Sequence, residues 1–178
     1  ADRIANALAV KRLYRVPAIV VDFGTATNFD VVSANGEFLG GAFAPGIQTA
    51  LDGLASRAAR LRTIALHAPV AAIGTNTADC MRAGVVYGYV GLVEGLVARI
   101  AAEMDGPRPL VVATGGLAPL IAAETSVIDV LDPNLTLHGL RFLYELNQPV
   151  LAARGASTDR RRTVAGNGKP ARASGKRP

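Results

Sequence analysis

The chain has 178 residues, enough for one ordinary domain and its core. Half of the residues are apolar and 5% aromatic, which fits a compact α/β domain and argues against a disordered or fibrous chain. The net charge of +5 is concentrated at one end: residues 151–178 hold eight Lys/Arg and one Asp, whereas residues 1–150 hold 11 Lys/Arg and 13 Asp/Glu, so the folding part is mildly acidic and carries no expectation of nucleic-acid binding.

In chain order, residues 2–14 place Ile4, Leu8 and Leu13 near helical spacing among good helix formers, and Pro17 ends that segment. Ala18–Asp22 is a short apolar run rich in β-branched residues and reads as a buried strand. Gly24 then supplies a tight turn, Asn28–Ser33 a second strand, Ala34-Asn35-Gly36-Glu37 a hairpin turn, and Phe38–Ala44 a third strand. Pro45-Gly46 breaks this meander, and Ile47–Leu61 reads as a helix with Ile47, Leu51, Leu54 and Ala58 on one face. After an irregular stretch over 62–76, Asn76 or Thr77 caps a helical pattern that runs to Met104, with a candidate break near Gly84. Leu110–Ala113 is another buried strand ending in Thr114-Gly115-Gly116. Residues 117–124 form a short helix, Ser126–Val130 a last strand, and Leu135–Leu146 a closing helix. From about residue 151, Gly, Ala, Ser, Pro and basic residues predict a disordered tail.

This order, a three-strand antiparallel meander followed by helix, strand, helix, strand and helix, is that of a ribonuclease-H-like domain. Actin-like kinases use two such domains with a nucleotide between them, and one is expected here: an α/β domain whose mixed sheet is flanked by helices. The expected division is a linking helix over 1–17, the actin-like domain over 18–148, and a basic tail over 149–178.

Chemistry concentrates in a few segments. Asp22-Phe23-Gly24-Thr25-Ala26-Thr27 puts a carboxylate at the end of a buried strand, then a tight turn and two hydroxyls. Such a turn offers N–H and hydroxyl groups to phosphate, and the carboxylate can hold a cation; an ordinary hairpin whose Asp and Thr satisfy turn groups is the alternative. Thr114-Gly115-Gly116 opens a helix after a strand, where a nucleotide can approach the backbone or the chain simply turns. Gly40-Gly41 and Gly46 either line a pocket or relieve crowding. Asp2-Arg3 pairs a proton acceptor with a group that grips carboxylates, or decorates a helix start. Thr77 offers a hydroxyl to a substrate or a cap to its helix. Gly84, Gly88, Gly91 and Gly95 permit close packing of one long helix. His67 and His138 lack metal-ligand spacing and are assigned to structure. Cys80, the single cysteine, excludes an internal disulfide, suits a reducing cytoplasm and reads as a small core residue. No apolar run approaches the roughly 18–20 residues of a membrane span, and the amino terminus is not a signal peptide.

Taken in order, these segments resemble one family. Ala1–Ala7 is similar to the Gly-Ala-Asp-Arg-Ile-x-Asn-Ala segment of type III pantothenate kinases, and Asp22–Asp30 to their second phosphate motif. Gly40–Ile47, Ile73–Thr77, Ala113–Leu117 and Leu135–Asn147 follow in family order. The resemblance implies transfer of the γ-phosphate of ATP, with Mg²⁺, to the primary hydroxyl of pantothenate, the first step of coenzyme A synthesis. It implies that Asp2 is the catalytic base and that Arg3 contacts the pantothenate carboxylate, with Ala1 and Thr77 completing the substrate site. It further implies that Asp22 holds a monovalent cation, K⁺ or NH₄⁺. Gly24 and Thr25 would meet the ATP phosphates, and Gly115 and Gly116 the adenosine side. A cytoplasmic homodimer without membrane or nucleic-acid partners is implied as well.

Two departures stand out. Asn28 replaces the Thr common in the family, and the Asp-x-Gly-Asn-Thr strand–turn that opens complete members has no counterpart. Together with the missing initiator Met, this predicts the carboxy-terminal part of a longer kinase, inactive alone. A kinase for a sugar or acetate, and a non-catalytic regulatory module of the same descent, are the alternatives.

Overall fold

A computed structural model describes residues 2–57 and 64–148. Ala1, the expected helical residues beyond 57 and the tail from 149 lie outside the described residues. The chain divides into Ala1–Phe142 and Leu143–Pro178. In the second unit the described residues, 143–148, are helical.

The first unit is built on a five-stranded sheet. Strands β1 (Ala18–Phe23), β2 (Ala26–Val32) and β3 (Phe38–Pro45) form an antiparallel meander, and β4 (Leu110–Thr114) and β5 (Val130–Leu131) add parallel strands on the far side of β1, giving the order β3-β2-β1-β4-β5. The apolar runs Ala18–Val21 and Leu110–Ala113 therefore lie in the sheet interior and are buried on both faces, which is why they lack polar alternation. The Asn35-Gly36 hairpin forms as its sequence predicts: Gly36 has φ +75°, and its N–H donates to the Ser33 carbonyl at 2.9 Å.

Side-chain parity along the strands separates two cores. Ile19, Val21 and Phe23, with Phe29, Val111 and Ala113, face the long helix α3 (Thr77–Glu103), packing on Val86, Tyr89, Val90, Val93 and Val97. Ile47 of α2 (Ile47–Arg57) and Ile121 of the short α4 (Ala118–Ala122) close that core. Ala18, Val20, Val32, Leu110 and Val112 point the other way, onto Ala7, Ala9 and Val10 of α1 (Asp2–Leu13) and onto Leu135. Each fully buried Val, Leu or Ile side chain in these layers contributes roughly 1.5–3 kcal/mol.

Several features differ from the sequence expectations, among them β2, which begins at Ala26 and not at Asn28. Helix α3 runs unbroken through Gly84, because its buried valine face anchors it to the sheet and offsets a glycine cost of roughly 1 kcal/mol per position. At 27 residues, with an 18-residue window of mean hydropathy 1.5, α3 is long and apolar enough to cross a membrane by length and composition; in this fold its apolar face supplies the core beneath the sheet. The last strand is shorter than Ser126–Val130, and begins at Val130. Just before it, Asp129 takes the place of a ladder residue: its Oδ2 accepts from Val111 N–H at 2.8 Å while its own N–H donates to the Val111 carbonyl at 2.9 Å. Cys80 is exposed rather than a core residue.

Candidate active site

Two turns meet at the carboxyl ends of β1 and β4. Asp22 pairs in register with Thr114 across the parallel ladder, so Gly24-Thr25 and Gly115-Gly116 leave the sheet side by side. Gly115 has φ +96°, and a Cβ there would stand 2.6 Å from the Phe23 carbonyl oxygen. Only a glycine lets the second turn rest on the backbone of the first. The crevice outside the carboxyl ends of parallel strands is where open α/β sheets bind ligands. Gly24 and Thr25 are exposed there. The Gly24 N–H is already used, donating to the Ala26 carbonyl at 3.0 Å. The start of α2 is pinned to the same corner, since Gly46 N–H and the Thr49 hydroxyl both donate to the Thr25 carbonyl, at 3.0 and 2.9 Å.

Strand parity turns Asp22, Asn28, Asp30 and Thr114 toward α1, and α1 answers with a polar first turn and a half. Asn6, 1% exposed, donates through Nδ2 to Asp22 Oδ2 at 3.3 Å and accepts from the Thr136 hydroxyl at 2.8 Å. Burial pushes the half-buried Asp22 carboxyl above its ordinary value, the Asn6 bond pulls it back, and the charge of Asp2 raises it again. Asp2 is exposed on the helix start. Its carboxyl lies below the ordinary value, chiefly because the Arg3 N–H donates to Oδ1 at 2.9 Å, so Asp2 is ionised at neutral pH. Arg3 turns inward: its Nε donates to Asp30 Oδ1 at 2.6 Å.

Asp2, Arg3, Asp22, Gly24, Thr25, Gly115 and Gly116 therefore lie along one end of the sheet and the helix start facing it. Ala1 lies outside the described residues. Thr77 is placed elsewhere. It opens α3 on the exposed side and lines a cavity of about 510 Å³ with Ala50, Leu54, Met81 and Cys80, none of which belongs to the Asp22 corner. The cap of α3 is Asn76, whose Oδ1 accepts from Asp79 N–H at 3.0 Å, so the Thr77 hydroxyl is not spent on capping. Gly40 and Gly41 line a separate cavity of about 370 Å³ between β3 and the end of α3. Among the described residues no group of three or more His, Cys, Asp or Glu side chains is placed to hold a metal.

Sequence reading missed Asn6, Asn28 and Asp30 as parts of this site. The signals were present: Asn6 follows Asp2 by one helical turn, and Asp22, Asn28 and Asp30 share one strand parity. The donor set they create is all oxygen on the sheet side. Asn28, the cross-strand partner of Asp22, has a buried Oδ1 with no hydrogen-bond partner among the described residues. A carboxylate and an orphaned amide oxygen are hard oxygen donors, the kind that hard cations take.

The antiparallel meander continuing into parallel strands, with the two glycine turns at their carboxyl ends, is the arrangement of a ribonuclease-H-like fold. A solved structure from Campylobacter jejuni, described as a Baf family transcriptional activator, shares this fold with a TM-score of 0.58 at 24% identity, over 82% of this chain and 63% of that one. The type III pantothenate kinase family model matches residues 1–99. Type III pantothenate kinases of Parafrankia sp. and Moorella thermoacetica are each 58% identical over 147 residues, covering 83% of this chain and 58% of the relative. That of Rhodococcus opacus is 52% identical over 162 residues, covering 89% and 60%. The chain belongs to the type III pantothenate kinase family, and it spans about 58% of the length of the first two relatives.

Proposed function

We propose that the whole protein transfers the γ-phosphoryl group of ATP, carried as its Mg²⁺ complex, to the primary hydroxyl of pantothenate in the cytoplasm. The observation that carries this reading is the convergence of the Asp22 corner, the Gly115 turn and the polar start of α1 at one end of the sheet.

In this reading residues 1–17 link two actin-like domains and residues 18–148 form the second. Asp2 accepts the proton of the attacking hydroxyl as its oxygen bonds to the γ-phosphorus, while the bond from that phosphorus to the bridging oxygen breaks and ADP leaves. Arg3 holds the pantothenate carboxylate. Gly24 and Thr25 face the phosphates, and Gly115 and Gly116 the adenosine side. Asp22, with Asn28 beside it, would hold K⁺ or NH₄⁺, which supplies fixed positive charge near the phosphates. Such parts suit phosphoryl transfer, where positioning and charge stabilisation do nearly all of the work. Thr77 enters the substrate site at the contact of a homodimer. Gly84, Gly88 and Gly91 of α3 have open space where a side chain would stand, which supports close approach of a second copy.

The test compares ATP-dependent phosphorylation of pantothenate by the 178-residue chain and by one extended with the amino-terminal Asp-x-Gly-Asn-Thr domain that the family resemblance implies. Turnover is expected from the longer chain alone. No turnover by the longer chain defeats the kinase reading; turnover by the shorter one defeats only the requirement for the added part.

A further inference from the structure

Asp30 is a charge placed where charges are costly. It sits in the middle of β2, its side chain is 0% exposed, and its Oδ2 has no hydrogen-bond partner among the described residues. Burial pushes its carboxyl above the ordinary value, and the adjoining Arg3 is the group that pulls it down. A buried carboxylate of this kind persists only when a partner compensates it. The partner is Arg3, whose side chain is 27% exposed and whose Nε donates to Asp30 Oδ1 at 2.6 Å.

The rest of the guanidinium is fixed as well. Its Cζ lies 4.5 Å from the centre of the Phe43 ring and 5.1 Å from that of Phe38, both on β3. Between these two residues stands Gly41, the register partner of Asp30, with φ +153°. A Cβ at Gly41 would collide with the Phe29 carbonyl and approach Arg3 Nη2 to 3.3 Å. The bare backbone leaves the guanidinium its path over the sheet edge onto Asp30. Among the described residues Asp30 is the guanidinium's one side-chain hydrogen-bond partner, and it takes Nε. The two terminal nitrogens remain as a fork, the geometry that grips a carboxylate with two parallel bonds.

We propose that Asp30, assisted by the Phe43 and Phe38 rings, is the positioning residue that presents the Arg3 fork to the carboxylate of the substrate and so sets the preference for an acid over its uncharged analogue. This rests on the pantothenate kinase reading. Asp30 does not touch the reacting atoms. It acts through Arg3, restricting a long side chain to one rotamer before the substrate arrives, which lowers the ordering cost of binding.

The experiment measures kcat and KM of the whole protein for pantothenate and for the alcohol analogue in which a hydroxymethyl group replaces the carboxylate. Asp30→Asn keeps the shape and removes the charge. It is expected to lower the acid-to-alcohol ratio of kcat/KM by about tenfold or more, mainly through the KM for pantothenate. In an Arg3→Gln background the same substitution is expected to change the ratio by less than about twofold, because the residue it acts through is gone. Phe43→Leu tests the arrangement from a site that is 64% exposed, where folding is not at stake, and should lower the ratio about threefold. An unchanged ratio in both single variants, equal losses on both substrates, or full additivity with Arg3→Gln would overturn the positioning role. A parent protein that phosphorylates neither compound rejects the underlying function and this role together, and so is distinguishable from a failure of Asp30 alone.

Discussion

Asp22 and Thr114 face each other in register across β1 and β4, although they lie in motifs far apart in sequence. The pairing converts two separate strand-end turns into one ledge, with the Gly115 turn seated on the Phe23 backbone and the Asp22 carboxylate directed toward Asn6 of α1.

The carboxylate on this ledge is held at a cost to stability. Burial raises the Asp22 pKa above 3.8, so the native state holds that proton more tightly than the unfolded chain does. Its contribution is therefore most favourable below the unfolded value and is lost as pH rises through the raised native one. Asp22→Asn removes that loss and should stabilise the chain at neutral pH, with the gain fading once pH falls below the unfolded value. Urea unfolding of parent and variant at neutral and acidic pH measures it. A gain independent of pH, or a loss at neutral pH, contradicts the account.

Gly115 and Gly116 should respond differently to the same substitution. Gly115→Ala forces a side chain onto the Phe23 backbone at φ +96° and is expected to cost about 2 kcal/mol or more. Gly116→Ala meets open space and should stay within about 0.5 kcal/mol. Denaturant midpoints at constant slope compare the two, and equal effects would show that the two turns do not touch.

Tyr89 ties α3 to the junction of β3 and α2, its hydroxyl placed to donate to the Pro45 carbonyl at 2.8 Å or the Gly46 carbonyl at 3.1 Å. Tyr89→Phe leaves these acceptors without that donor and is expected to lower stability by about 1–2 kcal/mol. Thermal unfolding that is indistinguishable from the parent would remove Tyr89 as a tie.

At the head of α3 the cap and the candidate substrate residue are neighbours with separable effects. Asn76→Ala removes the Asp79 N–H acceptor and should cost about 1 kcal/mol of stability. Thr77→Ala should cost less than about 0.5 kcal/mol, because its exposed hydroxyl does not cap the helix. On the proposed kinase function, Thr77→Ala in the whole protein is expected to raise the KM for pantothenate. A larger stability loss from Thr77 than from Asn76 would return Thr77 to a structural role.

Much of this was legible in the chain. The β-branched runs at Ala18–Val21 and Leu110–Ala113, the Asn35-Gly36 turn and the meander order are local signals, set by steric preference and apolar pattern over a few residues. The strand ends were less legible: Val130 begins β5 because Asp129 bonds to Val111 through both backbone and side chain, a tertiary contact that no local pattern displays. Continuity of α3 through its glycines was likewise decided by packing against the sheet, which outweighs helix propensity.

For the site, the sequence by itself determined which chemical groups were available and that Asp22 and the Gly115 turn stood at strand ends. It could not show that β1 and β4 are neighbours, that Asp2 and Asn6 look onto Asp22, or that Arg3 reaches a carboxylate 27 residues away. Only the tertiary structure decided those relations, because strand order and helix docking are settled by burying two apolar faces at once, a collective free energy that no single segment contains.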